Sequence, residues 1–308
     1  MTTIQRNAVP HLNRNASPVA LGFMDFHSFD TGAPMLDAFT AAGGNVFDTA
    51  WIYNGGYTEQ LLGEWHTARN NRADCVIIGK GAHTPECTPE AIAAQLTESL
   101  DRLATDSVDM YFMHRDNPAV PVGEFVEAID AERRAGRITG PAGGSNWTMR
   151  RVEEANAYAA AHGLTPFTVL SNNFSLAEML SPIWDGCVSS STPTWRTWLT
   201  DNNILNVAWS SQSRGFFTDR AGRTKLEDEE LVRVWYSDAN FERRDRAQQL
   251  ADEMGVDPIH IALAYVVAQP FQQIPIIGPR TLDELQHSLR AFSFTLTAQQ
   301  VAWLETGT

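Results

Sequence analysis

The chain reads as α/β, a single (β/α)8 (TIM) barrel, on three observations. Short apolar runs alternate with amphipathic helical stretches, eight such runs can be counted, and no repeat or composition shift divides the 308 residues. A barrel of this class takes about 250 residues, so the length accommodates one, and one domain is expected over 1–308.

The expected strands are 19–23, 45–49, 75–80, 108–114, 140–145, 168–172, 204–209 and 273–277, each short and rich in β-branched or apolar residues. Helical patterns lie between them at 34–42, 58–70, 89–104, 123–135 and 149–162, in a broken region around 176–200, and at 245–255 and 258–268. In the third helix, Ile92, Leu96, Leu100 and Leu103 recur as one apolar stripe, with Thr88 placed to cap it and Glu90 and Glu98 outside. Gly136, Gly163 and Gly255 stand where helices should end, because a left-handed C-terminal residue favours glycine. Two irregular stretches, 181–203 and 210–234, break the pattern, and long loops in a compact domain tend to be functional. The mixed-charge run 227–230 and 242–246 reads as a solvated helix face.

An apolar fraction of 43% and a charged fraction of 19% are those of a globular protein, and no run approaches the ~20 apolar residues of a membrane span. A formal charge of −14 sets the chain against nucleic acid and anionic membranes, whose phosphates it would repel. Residues 1–15 lack the apolar centre of a secretory signal, and the three cysteines, Cys75, Cys87 and Cys187, have neither C-x-x-C spacing nor an even count. A reducing cytoplasm is the expected location.

Catalytic residues of such barrels sit at the C-terminal ends of strands. There the sequence places Asp48 after Asn45-Val46-Phe47, Tyr53 just beyond, Lys80 closing one apolar strand and His114 closing the next. A buried Asp or Lys carries a heavy desolvation penalty unless it is paired. Together the four form a proton-donating device: the Lys80 ammonium should lower the Tyr53 phenol from about 10, Asp48 should hold Lys80, and His114 should orient a carbonyl oxygen. Metal-dependent barrels are the competing class, but His27, His83 and His114 match no metal motif.

These residues, with Gly63, the stretch Asp109-Met110-Tyr111-Phe112-Met113-His114-Arg115, Gly144-Ser145-Asn146-Trp147 and Ile276-Ile277-Gly278-Pro279-Arg280-Thr281, resemble the motifs of the aldo-keto reductases in order and spacing, over nearly the whole chain. The resemblance implies reversible reduction of an aldehyde or ketone by NADPH, with Tyr53 as acid, Lys80 and Asp48 as its tuners and His114 as orienter. A second function class is a cofactor-binding, redox-sensing subunit with little turnover, like the β subunits of potassium channels.

For the cofactor, Ser145, Asn146 and Asn172 offer partners to a carboxamide, and Trp209 offers a ring face to the nicotinamide. Ser210, Gln212 and Arg214, in a polar and flexible loop, suit a diphosphate. Gly278 and Arg280 at a helix start suit the 2′-phosphate of NADP, with Ser288 farther along. Glu284 would repel that phosphate, which leaves NADH open beside NADPH. Segment 138–143 is less apolar than the family's fifth strand. The substrate rim is expected from Phe26, His27, Trp51, Arg115, Trp147 and Trp235, with a polyol or sugar-like carbonyl compound as the small-molecule partner.

Overall fold

A computed structural model describes residues 2–308. Eight strands, β1 (Ala20–Gly22), β2 (Val46–Asp48), β3 (Val76–Gly81), β4 (Met110–Met113), β5 (Ala142–Ser145), β6 (Val169–Ser171), β7 (Leu205–Ala208) and β8 (Gln273–Ile277), close into a parallel barrel in chain order. Closure runs through β1, where Ala20 lies opposite both Val46 and Ile276. Single helices follow the first six strands: α1 (Phe29–Ala41), α2 (Tyr57–Arg69), α3 (Pro89–Arg102), α4 (Val122–Arg134), α5 (Met149–His162) and α6 (Pro193–Asp201). Between β7 and β8 come α7 (Glu229–Trp235), α8 (Asp238–Met254) and α9 (Pro258–Val267), and α10 (Leu282–Leu289) and α11 (Ala298–Thr306) follow β8.

Side-chain alternation sorts the strands into two cores. Val46, Val76, Ile78, Met110, Phe112, Val169 and Val207 cluster inside the barrel, while Phe47, Ile77, Tyr111, Leu170 and Ala208 face the helices. The α3 stripe is buried as expected, and the Thr88 hydroxyl accepts from the Ala91 amide at 3.3 Å. Gly136, Gly163 and Gly255 follow their helices with φ of 76°, 65° and 67°.

Some boundaries differ from the sequence reading. Helix α1 begins at Phe29 because Pro34 is accommodated within it, leaving one carbonyl without its intrahelical donor. Helix α7 falls in a stretch read as irregular. Its signal is a cap rather than a period: Asp228 accepts from the Leu231 amide at 3.0 Å.

The unusual fifth strand has a steric cause. A Cβ on Gly143 would lie 1.8 Å from the Val169 carbonyl oxygen, and one on Gly144 would lie 2.2 Å from the Trp147 ring. Backbone and indole occupy the space that apolar side chains would need, so β5 approaches its neighbours at glycine. Gly143→Ala is expected to lower stability by about 3 kcal/mol or more, since backbone must move. A urea midpoint unchanged from the parent would contradict this packing.

Candidate active site

The same alternation that puts Val46, Val76, Ile78, Met110 and Phe112 inside the barrel puts Asp48, Lys80 and His114 on its inner wall at the C-terminal mouth. Register steps them by two residues from strand to strand, with Asp48 beside Ile78 and Lys80 beside Phe112. Tyr53 arrives from the turn after β2. There Asn54, Gly55 and Gly56 adopt φ of 50°, 62° and 92° and turn the chain back over the mouth.

Lys80 Nζ forms an ion pair with Asp48, donates to the Thr49 carbonyl at 3.0 Å and reaches Tyr53 Oη at 3.4 Å. Both members of the pair are almost wholly buried, at 2% and 5% side-chain exposure. The Tyr53 ring meets His114 edge-on, with centroids 5.3 Å apart. Burial would pull the Lys80 ammonium down, but Asp48 and Tyr53 lift it above its ordinary value, so it stays charged. Burial lifts the Tyr53 phenol above its ordinary value, outweighing the opposing pull of Lys80. That corrects the expectation of a lowered phenol: in the folded chain Tyr53 is a fully protonated donor. His114 is held well below 6.5 by burial first and then by the charges of Lys80, His83 and Arg115, which makes it a neutral imidazole.

These four side chains line one cleft of about 920 Å³. Of the residues expected to hold a cofactor, Ser145, Asn146, Trp209, Ser210, Gln212, Arg214, Gly278, Arg280, Glu284 and Ser288 also line it. Ser145 Oγ donates to the Ser171 carbonyl at 2.9 Å, and Trp209 Nε1 donates to the same oxygen at 3.1 Å, which fixes the indole at the mouth. Gln212 Nε2 reaches Ser288 Oγ at 3.4 Å across the cleft.

The loop after β7 is held rather than flexible. Ser210, Ser213 and Arg214 adopt φ of 49°, 49° and 51°, and Ser211 Oγ donates to the Ile276 carbonyl at 2.8 Å. Such left-handed backbone persists where surrounding contacts over-determine it, as at ligand clamps. The run 227–230, expected to be a solvated face, instead supplies part of that restraint: Glu230 pairs with Arg214 at 2.5 Å and Asp228 with Arg220 at 2.6 Å.

Six expected site residues lie elsewhere, outside the lining of the cleft. Asn172 is out of phase with Val169 and Ser171, so its side chain turns outward and donates to the Trp147 carbonyl at 3.0 Å. Trp147 and Trp235 are fully buried in the outer core, and Phe26 is buried there too. Trp51 donates to Glu98 at 2.8 Å, and exposed His27 contacts Asn54 at 2.9 Å. Arg115 does line the cleft. Sequence reasoning missed Met24, Ile52, Trp184 and Asp185, which line it from loops without periodicity. Met24, Ile52 and Trp184 are large apolar side chains left 51%, 41% and 53% exposed.

The residues present suit a nicotinamide dinucleotide. Ser171 Oγ and His114 Nδ1 are buried at the mouth without partners, Trp209 presents a ring, and the strained loop and the α10 start offer amides and arginines. Asp257, His260 and His287 form the one cluster of near ligand atoms among the described residues; within it His260 Nδ1 accepts from the Asp257 amide at 3.0 Å and His287 Nε2 lies 2.7 Å from Asp257 Oδ2.

A closed parallel barrel with a buried Asp–Lys pair, a tyrosine and a neutral histidine at its mouth defines a class of oxidoreductase barrels. The sequence profile described as Aldo/keto reductase family matches residues 18–306, and the chain belongs to that family. It is 26% identical to the uncharacterized oxidoreductase YrpG of Bacillus subtilis, over 91% of this chain and 88% of that one. It is equally 26% identical to an aryl-alcohol dehydrogenase [NADP(+)] of Phanerodontia chrysosporium, over 97% and 84%, and to a norsolorinic acid reductase of Aspergillus flavus, over 92% and 76%. The crystal structure of a thermostable aldo-keto reductase, Tm1743, superposes with a TM-score of 0.77 at 22% identity, covering 98% of this chain and 99% of that one, which shows a shared fold. Among the described residues no helix is long and apolar enough to cross a membrane.

Proposed function

We propose that the chain is a single-domain, NAD(P)H-dependent reductase of aldehydes or ketones, with Tyr53 as general acid. The observation that carries this is the convergence of Tyr53, held protonated by burial, with the buried Lys80–Asp48 pair and neutral His114 in one cleft. The chemistry a nicotinamide would supply when bound beside Trp209 is a hydride for the carbonyl carbon. Tyr53 gives its proton to the carbonyl oxygen as negative charge develops there, and the ammonium 3.4 Å away stabilises the phenolate left behind. His114, neutral and wedged against Tyr53, orients the same oxygen. Ser145, Asn146 and Trp209 would hold and back the nicotinamide, and the 210–214 loop would take the diphosphate.

The 2′-phosphate region is already partly neutralised. Arg280 Nε binds Asp25 at 3.1 Å, and Glu284 accepts from the Arg280 amide at 2.7 Å. Both carboxylates must yield before a phosphate can settle, so NADPH is expected to bind more tightly than NADH by only a small margin, about tenfold or less. Parallel fluorescence titrations with the two cofactors, followed by turnover of a panel of aldehydes, test this reading. Binding of neither would overturn it, and tight binding with no carbonyl reduced at any pH would favour a redox-sensing subunit instead. The exposed apolar rim of Met24, Ile52 and Trp184 suits an apolar or aromatic carbonyl compound better than the sugar-like one expected from polar residues. The aryl-alcohol dehydrogenase and norsolorinic acid reductase among its relatives are named for aromatic compounds, which agrees with that.

A further inference from the structure

In a chain of formal charge −14 the cleft is locally different, for its lining holds five Lys and Arg side chains against four carboxylates. Four of those cations are committed: Lys80 to Asp48, Arg280 to Asp25, Arg214 to Glu230 and Arg220 to Asp228. Among the described residues, Arg115 is the one cleft cation with no carboxylate within 4.0 Å. Asp116 beside it is engaged by Arg151 at 3.0 Å, and Asp185, across the same cleft, does not pair with it.

Its backbone is fixed, because the Arg115 carbonyl accepts from Trp147 Nε1 at 3.2 Å and from Cys87 Sγ at 3.3 Å. Its charge is felt at the reacting groups: it helps to hold His114 neutral and pulls the Tyr53 phenol downward against burial. It follows β4 and lines the cleft together with Tyr53, Lys80 and His114. Met24 and Ile52 line the same cleft with exposed apolar surface, and Trp184 adds more from the loop after β6, its ring 6.1 Å from that of Trp209.

We propose that Arg115 is a specificity-determining residue that binds an anionic oxygen group on the substrate, so that the cleft takes apolar aldehydes or ketones carrying a carboxylate. This rests on the reductase reading above. A planar guanidinium matches a carboxylate through two parallel hydrogen bonds, and the apolar rim covers the carbon frame between that anchor and the carbonyl at Tyr53 and His114. A cation with no carboxylate partner, its side chain in contact with the Cys187 thiol, also favours anionic over neutral substrates of equal shape.

The test compares 4-formylbenzoate with its methyl ester, using the holoenzyme, Arg115→Met and Arg115→Lys. The parent should reduce the acid with a kcat/KM about tenfold to a hundredfold above the ester, the size of a charge-assisted hydrogen bond. Arg115→Met should erase that ratio through KM rather than kcat, and Arg115→Lys should restore much of it. A ratio near one in the parent, or a ratio that Arg115→Met leaves intact, overturns the proposal while turnover of either compound upholds the reductase reading. If neither compound is reduced, the reductase reading is decided by the aldehyde panel above, and Arg115 is judged by tryptophan-fluorescence binding of terephthalate against its dimethyl ester. Tighter binding of the dianion that Arg115→Met abolishes supports an anion site; equal binding of the two overturns it.

Discussion

Tyr53→Phe is expected to lower kcat for carbonyl reduction by about 10²–10⁴, the range of a lost general acid, while the cofactor dissociation constant stays within about twofold. The ring keeps its edge contact with His114, and only the hydroxyl 3.4 Å from Lys80 is removed. Stopped-flow reduction and cofactor titration on the same preparation separate the two effects; turnover surviving the substitution would take the acid role from Tyr53. The pH dependence carries the same assignment. Burial raises the phenol, so the protonated donor is fully populated through neutral pH and reduction should stay flat there, declining only above about 10. Oxidation of the alcohol needs the phenolate and should rise with pH over that range. With His114 held well below 6.5, no loss of reduction is expected from its protonation as pH falls from 8 to 6.5.

The second large effect is on stability. Lys80→Met leaves the Asp48 carboxylate, 5% exposed, without its counter-charge. Removing one member of a buried pair costs about 3–5 kcal/mol, so the urea midpoint should fall steeply and activity with it. Lys80→Met combined with Asp48→Asn removes both charges and should recover most of that stability, since isosteric neutral replacements of buried pairs are often tolerated. Activity should not return, because nothing then stabilises the phenolate. Equal stability of the single and double variants would mean that the pair is not coupled as the geometry requires.

The strands were legible because alternation and apolar runs are local. The same parity that marks Phe47 or Ile77 as outward carries Asp48, Lys80 and His114 inward, so the convergence could be read before any coordinates. Asn172 shows the limit of reading by strand end alone: one position out of phase, it faces the helices and bonds to Trp147. From sequence Trp147 and Trp235 read as rim residues, because a large aromatic near a strand end or in a loop carries no mark of its depth. The apolar rim itself came from Met24, Ile52 and Trp184, in loops whose course is set by tertiary contacts. The glycine-rich fifth strand was visible as an anomaly, but its cause, a carbonyl 1.8 Å from the absent Cβ of Gly143, lies in another strand.

Because β1 pairs with β8 as well as with β2, Ala20 finds one of its two neighbours only at Ile276. During synthesis the first strand therefore leaves the ribosome with one edge bare and keeps it bare until almost the whole chain has been made. Such sequence-distant pairing slows folding and exposes an unpaired edge to other chains. The nascent barrel should consequently be most prone to association just before the last strand emerges, and a holding chaperone would act at that stage.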